Sequence, residues 1–276
     1  MRVAFQGERG AYSEAAAIDH FGDSIIPVAC RTFDRVFTSV DCGDCAKGMI
    51  PVENSLAGSI HRNYDLLQRH QLSIVGEKIF RVRHCLIGQP GVQIKDIRKV
   101  ISHPQALAQC EKYIDNLGIE REASYDTAGA VKTLSKTDIR DHATIASRLA
   151  AEFYNMQILD ESIEDVKENY TRFLALARDP ETVTGKSTKT SIAFTLSQGG
   201  TTPGSLFRAV GVFAMRDINL TKIESRPTPS ETFSYIFYLD FEGSIQEHKC
   251  QRALDHLSEM APDVRVFGTY RSDSII

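Results

Sequence analysis

The sequence predicts an α/β protein in two parts, a larger two-lobed region followed by a smaller βαββαβ unit. Three observations predict it. From residue 1 to about 180, short β-branched runs alternate with segments of helical period, the pattern of βαβ units on mostly parallel sheets. Beyond a polar, turn-rich stretch the order changes to strand, helix, strand, strand, helix, strand. The length of 276 residues, with 42% hydrophobic content, supplies core for two domains of roughly 150 residues each.

The alternating region has five strand runs, each with its exit. Arg2-Val3-Ala4-Phe5 leads through Gly7-Glu8-Arg9-Gly10 to a helix that includes Ser13 and Glu14. Gly48 to Val52 leads through Glu53, Asn54 and Ser55. Lys99 to Ser102 leads into His103-Pro104-Gln105, Glu122 to Tyr125 into Asp126-Thr127, and Ala143 to Ala146 into Ser147. These exits are the residue types that start helices, and a helix start presents unpaired N–H groups to an anion. In open α/β sheets ligands sit at the carboxyl ends of strands, so five such exits facing one crevice would form an anion-binding cleft. Each one taken singly is equally an ordinary cap. Two stretches read as crossings between lobes: one long alternating strand from Glu77 to Gly88, and Ile158 to Asn169 followed by a strand from Thr171 to Leu176. Asp179 to Ser187 reads as a linker. Beyond it the expected pieces are Thr190 to Leu196, Gly204 to Arg216, Leu220 to Arg226, Thr232 to Phe241, Ile245 to Met260 and Val264 to Tyr270, the order of a ferredoxin-like plait.

Composition narrows the function. There are 32 basic and 36 acidic residues, a net charge of −4, and no basic stripe, so no nucleic-acid partner is expected. No apolar run approaches the roughly 18 residues that span a bilayer, and Met1-Arg2-Val3 enters a strand pattern instead of a leader. The expectation is a cytoplasmic protein with no membrane partner that binds something small. Of six cysteines, Cys30, Cys85, Cys110 and Cys250 read as core residues. Cys42 and Cys45 form a C-x-x-C pair, which suggests half a zinc site or a redox dithiol. Without a second pair or a helix start at Cys42, a turn is the better reading.

Six motifs occur in order: GERGAYSE (Gly7 to Glu14), IPVENSLAGS (Ile50 to Ser59), SHPQALAQ (Ser102 to Gln109), YDTAGA (Tyr125 to Ala130), ASRLA (Ala146 to Ala150) and NYTRF (Asn169 to Phe173). With these the chain resembles prephenate dehydratase, and Glu224-Ser225-Arg226-Pro227 resembles the signature of that family's carboxy-terminal ACT regulatory domain. The resemblance implies a two-lobed, periplasmic-binding-protein-like catalytic domain over residues 1–180. Lobe one would take about 1–80 and 160–180, and lobe two about 81–159. A linker at 181–189 and a ferredoxin-like ACT domain at 190–276 would follow.

The activity implied is cofactor-independent and metal-free: prephenate loses carbon dioxide and its ring hydroxyl to give phenylpyruvate on the route to L-phenylalanine. Such a substrate brings two carboxylates and an apolar ring, and aromatisation supplies the drive. The resemblance puts Thr171 at the leaving hydroxyl, as a hydrogen-bond donor in place of a full acid. Arg172 and Phe173 complete the implied catalytic set, although strand alternation turns Arg172 away if Thr171 faces the cleft. Ser13, Asn54, Ser55, Gln105, Thr127 and Ser147 are the expected substrate-binding residues. Glu53 is the awkward member of its motif, and His103 is read as a cap before a general acid. L-Phenylalanine is the implied effector, held by Gly204, Ser205, Leu206 and Phe207 with Glu224, Ser225, Arg226 and Pro227 where two ACT domains pair in a homodimer or homotetramer. Gly204-Ser205-Leu206-Phe207 stands where the family has Gly-Ala-Leu-Val. Arogenate dehydratase and an amino-acid-sensing binding protein are the rival readings, and a fused chorismate mutase is not expected.

Overall fold

The computed structural model describes residues 1–183, 187–196, 202–228 and 234–274. In chain order its elements are β1 (Arg2–Gln6), α1 (Tyr12–Phe21), β2 (Ile26–Cys30), α2 (Phe33–Asp41), β3 (Lys47–Asn54), β4 (Gly58–Ser59), α3 (His61–Arg69), β5 (Ser73–Arg81) and β6 (Cys85–Gly88). There follow β7 (Lys99–Ser102), α4 (Pro104–Gln109), α5 (Glu111–Leu117), β8 (Glu120–Ala123), α6 (Thr127–Leu134), β9 (His142–Ala146), α7 (Arg148–Phe153), β10 (Gln157–Glu161) and β11 (Tyr170–Ala177). The last set is β12 (Thr188–Thr195), α8 (Ser205–Ala214), β13 (Leu220–Pro227), β14 (Tyr235–Glu242), α9 (His248–Ser258) and β15 (Asp263–Arg271). The chain divides into two compact units, one of Met1–Asn63 with Lys78–Phe173, the other of Tyr64–Glu77 with Leu174–Ile276.

Two sheets contain the strands of the first unit. One has the order β2-β1-β3-β11-β5, with β4 paired to β3; the other runs β10-β6-β9-β7-β8. Strand β1 lies inside its sheet, paired on both sides, and Val3, Ala4 and Phe5 are fully buried, which is why this run is apolar without alternation. Helix α2 covers it with Val36, Phe37 and Val40. It starts at Thr32, whose Oγ1 accepts from Arg35 N at 3.3 Å. In the second sheet, β7 pairs parallel to β8 and β9, while β6 pairs antiparallel to β9 and β10. It is therefore less parallel than the alternating sequence pattern suggests.

Three details differ from the expected elements. The edge strand β2 contains Pro27 and broke the pattern by which strands were recognised, yet proline is tolerated where one side of a strand is unpaired. Strand β8 ends at Ala123, two residues short of the expected Tyr125, because its register is set by β7. The long strand from Glu77 to Gly88 is two strands in different sheets. The chain leaves β5 after Arg81, and Val82 to His84 form the bridge: Val82 N donates to Asn169 O at 2.8 Å, and His84 N donates to Glu164 Oε2 at 2.9 Å. These bonds satisfy the backbone where neither ladder reaches it.

The second unit holds an antiparallel sheet of order β13-β14-β12-β15. Its chain order, β12-α8-β13-β14-α9-β15, is the ferredoxin-like plait. Helices α8 and α9 bury Ala209, Val212, Phe213, Ala253 and Leu257 against Ile192, Phe194, Leu239 and Phe241. The opposite face carries Tyr238, whose ring centroid lies 5.0 Å from that of Tyr64 and whose hydroxyl donates to Tyr64 O at 3.0 Å. Lys189 and Glu77 form a buried ion pair at 2.7 Å. Residues 64–77 therefore pack with this unit. Strand β12 begins at Thr188, inside the stretch expected to be linker, and residues 184–186 of that stretch lie outside the described residues.

Candidate active site

The six motifs meet by direct packing. Gly10 adopts φ +85°, and a Cβ there would lie 2.4 Å from Ala150 Cα. Only glycine lets the first motif seat against the fifth. Ser147 Oγ then donates to Gly10 O at 2.5 Å and accepts from Ala150 N at 3.0 Å. Ser147 thus caps α7 and holds two motifs together.

A cavity of about 220 Å³ lies at the end of β1 and the start of α1. Pro51 and Asn54 of β3, Val82 and His84 of the bridge, His103, Gln105, Ala106 and Gln109 at α4, Asp126 and Thr127 at α6, and Thr171 and Phe173 of β11 complete its lining. Among the described residues no lysine or arginine lines it. An anion there meets hydroxyl, amide and backbone donors, with the Asp126 carboxyl as the one acidic group among the described residues of the wall. Helix α1 starts at Ala11, which has no side-chain cap to offer, so its first-turn N–H groups open beside Tyr12 and Ser13. Thr127 opens α6, whose cap Asp126 accepts from Gly129 N. Burial pushes the Asp126 carboxyl up from the usual aspartate range, partly offset by that N–H. His103 Nδ1 accepts from Gln105 N at 3.2 Å, the cap geometry expected of it.

Thr171 is 8% exposed and sits at the cavity wall. Asn54 Nδ2 donates to Thr171 Oγ1 at 3.0 Å, to Asn169 Oδ1 at 2.8 Å and to Tyr170 O at 3.1 Å. Asn54 Oδ1 accepts from Leu56 N at 3.1 Å and from Ala57 N at 2.9 Å. The network runs on: Asn169 Nδ2 donates to Gln109 Oε1 at 3.1 Å, His84 Nε2 lies 2.8 Å from the same oxygen, and His84 Nδ1 lies 2.7 Å from the Tyr12 hydroxyl. His84 is buried, and burial holds its imidazole below the usual histidine range. Burial likewise raises the Tyr12 phenol well above its ordinary value.

The cavity brings together Ser13, Asn54, Gln105, Thr127, Thr171 and Phe173 from the expected set, and leaves three out. Arg172 does not line it, because the β11 alternation that aims Thr171 and Phe173 inward turns the residue between them to the other side. Ser55 does not line it either: its hydroxyl donates to Glu168 O and accepts from Tyr170 N, both at 3.0 Å, and stitches the loop to β11. Ser147, the α7 cap, faces a separate cavity of about 460 Å³ with Arg148 and Glu161. Tyr12, His84, Gln109 and Asn169 were not singled out, although three of them stand inside the motifs. Their role depends on partners 60 to 72 residues away, which no local pattern reveals.

Among the eight residues expected to hold an effector, Gly204 adopts φ +76° before α8, Leu206 packs partly into the core of the unit, and Phe207 is 78% exposed. Strand alternation divides the others. Glu224 and Arg226 pair with Tyr238 and Ile236 on the face away from the helices, while Ser225 pairs with Phe237 on the helical face. Pro227 ends β13 opposite Tyr235. Arg226 is engaged by Asp65, with its two nitrogens 2.9 and 3.3 Å from the carboxylate. The run from Glu224 to Pro227 therefore presents its side chains to both faces of the sheet.

Cys30, Cys45, Cys85, Cys110 and Cys250 are buried free thiols, and Cys42 is exposed in the turn after α2. Among the described residues no group of three or more His, Cys, Asp or Glu side chains is placed to hold a metal, and no helix is long and apolar enough to cross a membrane.

The family model for prephenate dehydratase matches residues 3–181. Arogenate dehydratase 2 of Petunia hybrida is 48% identical over 99% of this chain and 72% of its own length. Arogenate dehydratase/prephenate dehydratase 2 of Arabidopsis thaliana, a chloroplastic protein, is 49% identical over 99% of this chain and 74% of its own. Among solved structures, prephenate dehydratase of Arthrobacter aurescens in complex with L-Phe superposes with a TM-score of 0.91 at 28% identity, covering 99% of this chain and 90% of that one. A structure described as GqqA, a novel type of quorum quenching acylase, superposes with a TM-score of 0.92 at 34% identity over 99% and 98% of the two chains.

Proposed function

We propose that this chain, which belongs to the prephenate dehydratase family, converts prephenate to phenylpyruvate with its own side chains and no cofactor. The carboxylate-bearing C–C bond breaks, its electron pair enters the ring, and the ring hydroxyl leaves as hydroxide that takes up a proton to become water. The observation that carries this reading is the Thr171 hydroxyl. Its oxygen receives a hydrogen bond from Asn54, and among the described residues nothing accepts its hydrogen. That hydrogen is available to the leaving oxygen, where a donor counts most as negative charge develops. Phe173 and Val82 offer the ring apolar surface, while Ser13, Gln105, Thr127 and the open N–H groups of α1 offer donors to the carboxylates. A site without an arginine clamp lowers the barrier to carbon dioxide loss, because a carboxylate held by arginine would be stabilised before it reacts.

Arogenate is the second reading, favoured by the names of the relatives at 45–49% identity. The acylase is the more distant likeness at 34%. Pure protein incubated with each substrate, followed by ultraviolet absorbance of the aromatic product, tests both. Turnover that persists at the wild-type rate in Thr171→Ala would remove the threonine from the chemistry, and no product from either substrate would leave a binding protein.

The plait unit serves, on this reading, as an ACT-type sensor that pairs with its copy and binds L-phenylalanine to inhibit. The likeness of Gly204 to Phe207 and Glu224 to Pro227 to the family's motifs supports it, as does the L-Phe complex of the Arthrobacter relative. Deleting the unit is a poor test, because Glu77 would lose its buried partner Lys189. Titration of the full chain with L-phenylalanine, reading both binding and turnover, decides it: absence of either response rejects the assignment.

A further inference from the structure

We infer that Gln109 is a positioning residue of the reaction proposed above, fixing the direction in which the Thr171 hydroxyl hydrogen points; the inference rests on that reading of the cavity. The sense of every hydrogen bond follows from one end. Leu56 N–H and Ala57 N–H only donate, so the Asn54 atom they meet is oxygen, and the other arm of that amide is nitrogen. Asn54 Nδ2 therefore donates to Thr171 Oγ1 at 3.0 Å and to Asn169 at 2.8 Å, which makes the Asn169 atom an oxygen. Asn169 then turns its Nδ2 to Gln109 at 3.1 Å, so Gln109 presents Oε1. The same Oε1, 2.8 Å from His84 Nε2, takes the ring N–H as a second donor. The neutral ring is left with an unprotonated Nδ1 2.7 Å from the Tyr12 hydroxyl, whose one hydrogen is shared between that nitrogen and Arg83 O at 3.0 Å. Flipping any one amide, or choosing the other tautomer, sets donor against donor or acceptor against acceptor.

Gln109 Oε1 is the point where two opposed runs of donors meet. Asn169 approaches from the Thr171 side and His84 from the Tyr12 side. Without that acceptor the Asn169 amide has no reason to keep its oxygen toward Asn54, and Asn54 Nδ2 loses its shortest acceptor, keeping only Tyr170 O at 3.1 Å beside Thr171. Amides do not pass protons along, so the network orients the threonine and does not feed it. Gln109 lies at the far end of α4 from Gln105, which lines the same cavity.

The test uses the full chain with Gln109→Met, which keeps the length and removes the acceptor, and Gln109→Glu, which accepts from both neighbours. Gln109→Met is expected to lower kcat about tenfold or more while KM stays within about threefold, and Gln109→Glu to recover part of that loss. In a Thr171→Ala background Gln109→Met is expected to cost nothing further. Nitrogen-15 NMR of the wild-type histidines reads the arrangement without turnover: His84 should carry its proton on Nε2 and none on Nδ1. Wild-type kcat in Gln109→Met, a KM that rises in step with the fall in kcat, or a proton on His84 Nδ1 each overturn the inference. If Gln109→Met fails to fold, the tautomer and the Gln109→Glu kinetics decide. A wild-type protein that turns over neither substrate, or an unimpaired Thr171→Ala, overturns the dehydratase reading instead and leaves the tautomer result standing.

Discussion

Asn54 Nδ2 lies 3.0 Å from Thr171 Oγ1, and the amide can only donate there because its oxygen already takes the N–H groups of Leu56 and Ala57. A donor on the threonine oxygen strengthens the hydrogen that the oxygen itself offers. Asn54→Asp reverses this. The carboxylate still accepts from both backbone groups, but it sets oxygen against Thr171 Oγ1 and Asn169 Oδ1. Steady-state kinetics should show kcat lowered by about a hundredfold, the scale of removing one aimed donor, and Asn54→Ala should lose as much. Wild-type kcat in either would separate Asn54 from the threonine.

Gly10 is required by geometry and not by chemistry. Its φ of +85° is strained for any other residue, and an added Cβ would sit 2.4 Å from Ala150 Cα and 2.8 Å from Ala150 Cβ. Gly10→Ala should destabilise the protein by at least about 2 kcal/mol, read as a lower midpoint in urea with an unchanged slope. A midpoint equal to wild type would mean that the contact between the first and fifth motifs yields freely.

The alternation of strand and helix made most of the fold legible, because burial imposes a period on the sequence wherever an element has one apolar face. It failed at Pro27, where an edge strand breaks the composition rule, and at Val82 to His84, where the alternation continues but the chain changes sheets. At the site, Thr171 and Phe173 were legible because the run NYTRF resembles a family motif, and Asn54 and Gln105 because they stand where strands and helices meet. Ser55 and Ser147 looked the same and are not in the cavity. A serine after a strand serves a cap or a ligand by the same hydrogen bond, and only the fold decides which. His84 stands outside every motif, and Gln109, though it ends SHPQALAQ, gave no sign of its partner 25 residues away.

His84 makes stability pH-dependent. Burial holds its imidazole below the usual value of 6.5, against the opposing pull of Gln109 and Glu164. The unfolded chain therefore takes up a proton near pH 6.5 that the folded chain declines. This stability is fully present above that pH and is lost as pH falls from 6.5 toward the folded value. Melting temperatures between pH 7.5 and 5.5, flanking the histidine range, should fall in wild type and fall less steeply in His84→Gln. Parallel curves for the two proteins would show that another group carries the acid loss.

Cysteine chemistry gives a simple measurement. Burial raises the thiols of Cys30, Cys85, Cys110 and Cys250, most strongly at Cys110, whereas Cys42 is exposed. The thiolate is the reactive form, so buried, weakly acidic thiols stay inert. Iodoacetamide at pH near 8, close to the ordinary thiol range, should label Cys42 in the folded protein and all six cysteines once it is unfolded. Mass spectrometry that finds Cys45 labelled as fast as Cys42 would show that the turn after α2 opens readily.

The buried pair of Lys189 and Glu77 fixes residues 64–77 onto the plait sheet. The two are 2.7 Å apart with side-chain exposures of 11% and 0%, and Glu77 Oε1 also accepts from Asp273 N at 3.0 Å. Desolvating both charges offsets most of their attraction, so the pair itself adds little. Removing Glu77 is different, because the Lys189 ammonium then stays buried without the carboxylate that compensates it. Glu77→Ala should cost about 3–5 kcal/mol, and the double variant Glu77→Met with Lys189→Met should be clearly more stable than either single change. Chemical denaturation of the four proteins measures the coupling between the sites. Additive losses would mean that the two side chains stabilise the unit separately, and that its hold on residues 64–77 rests instead on the packing of Tyr64 against Tyr238.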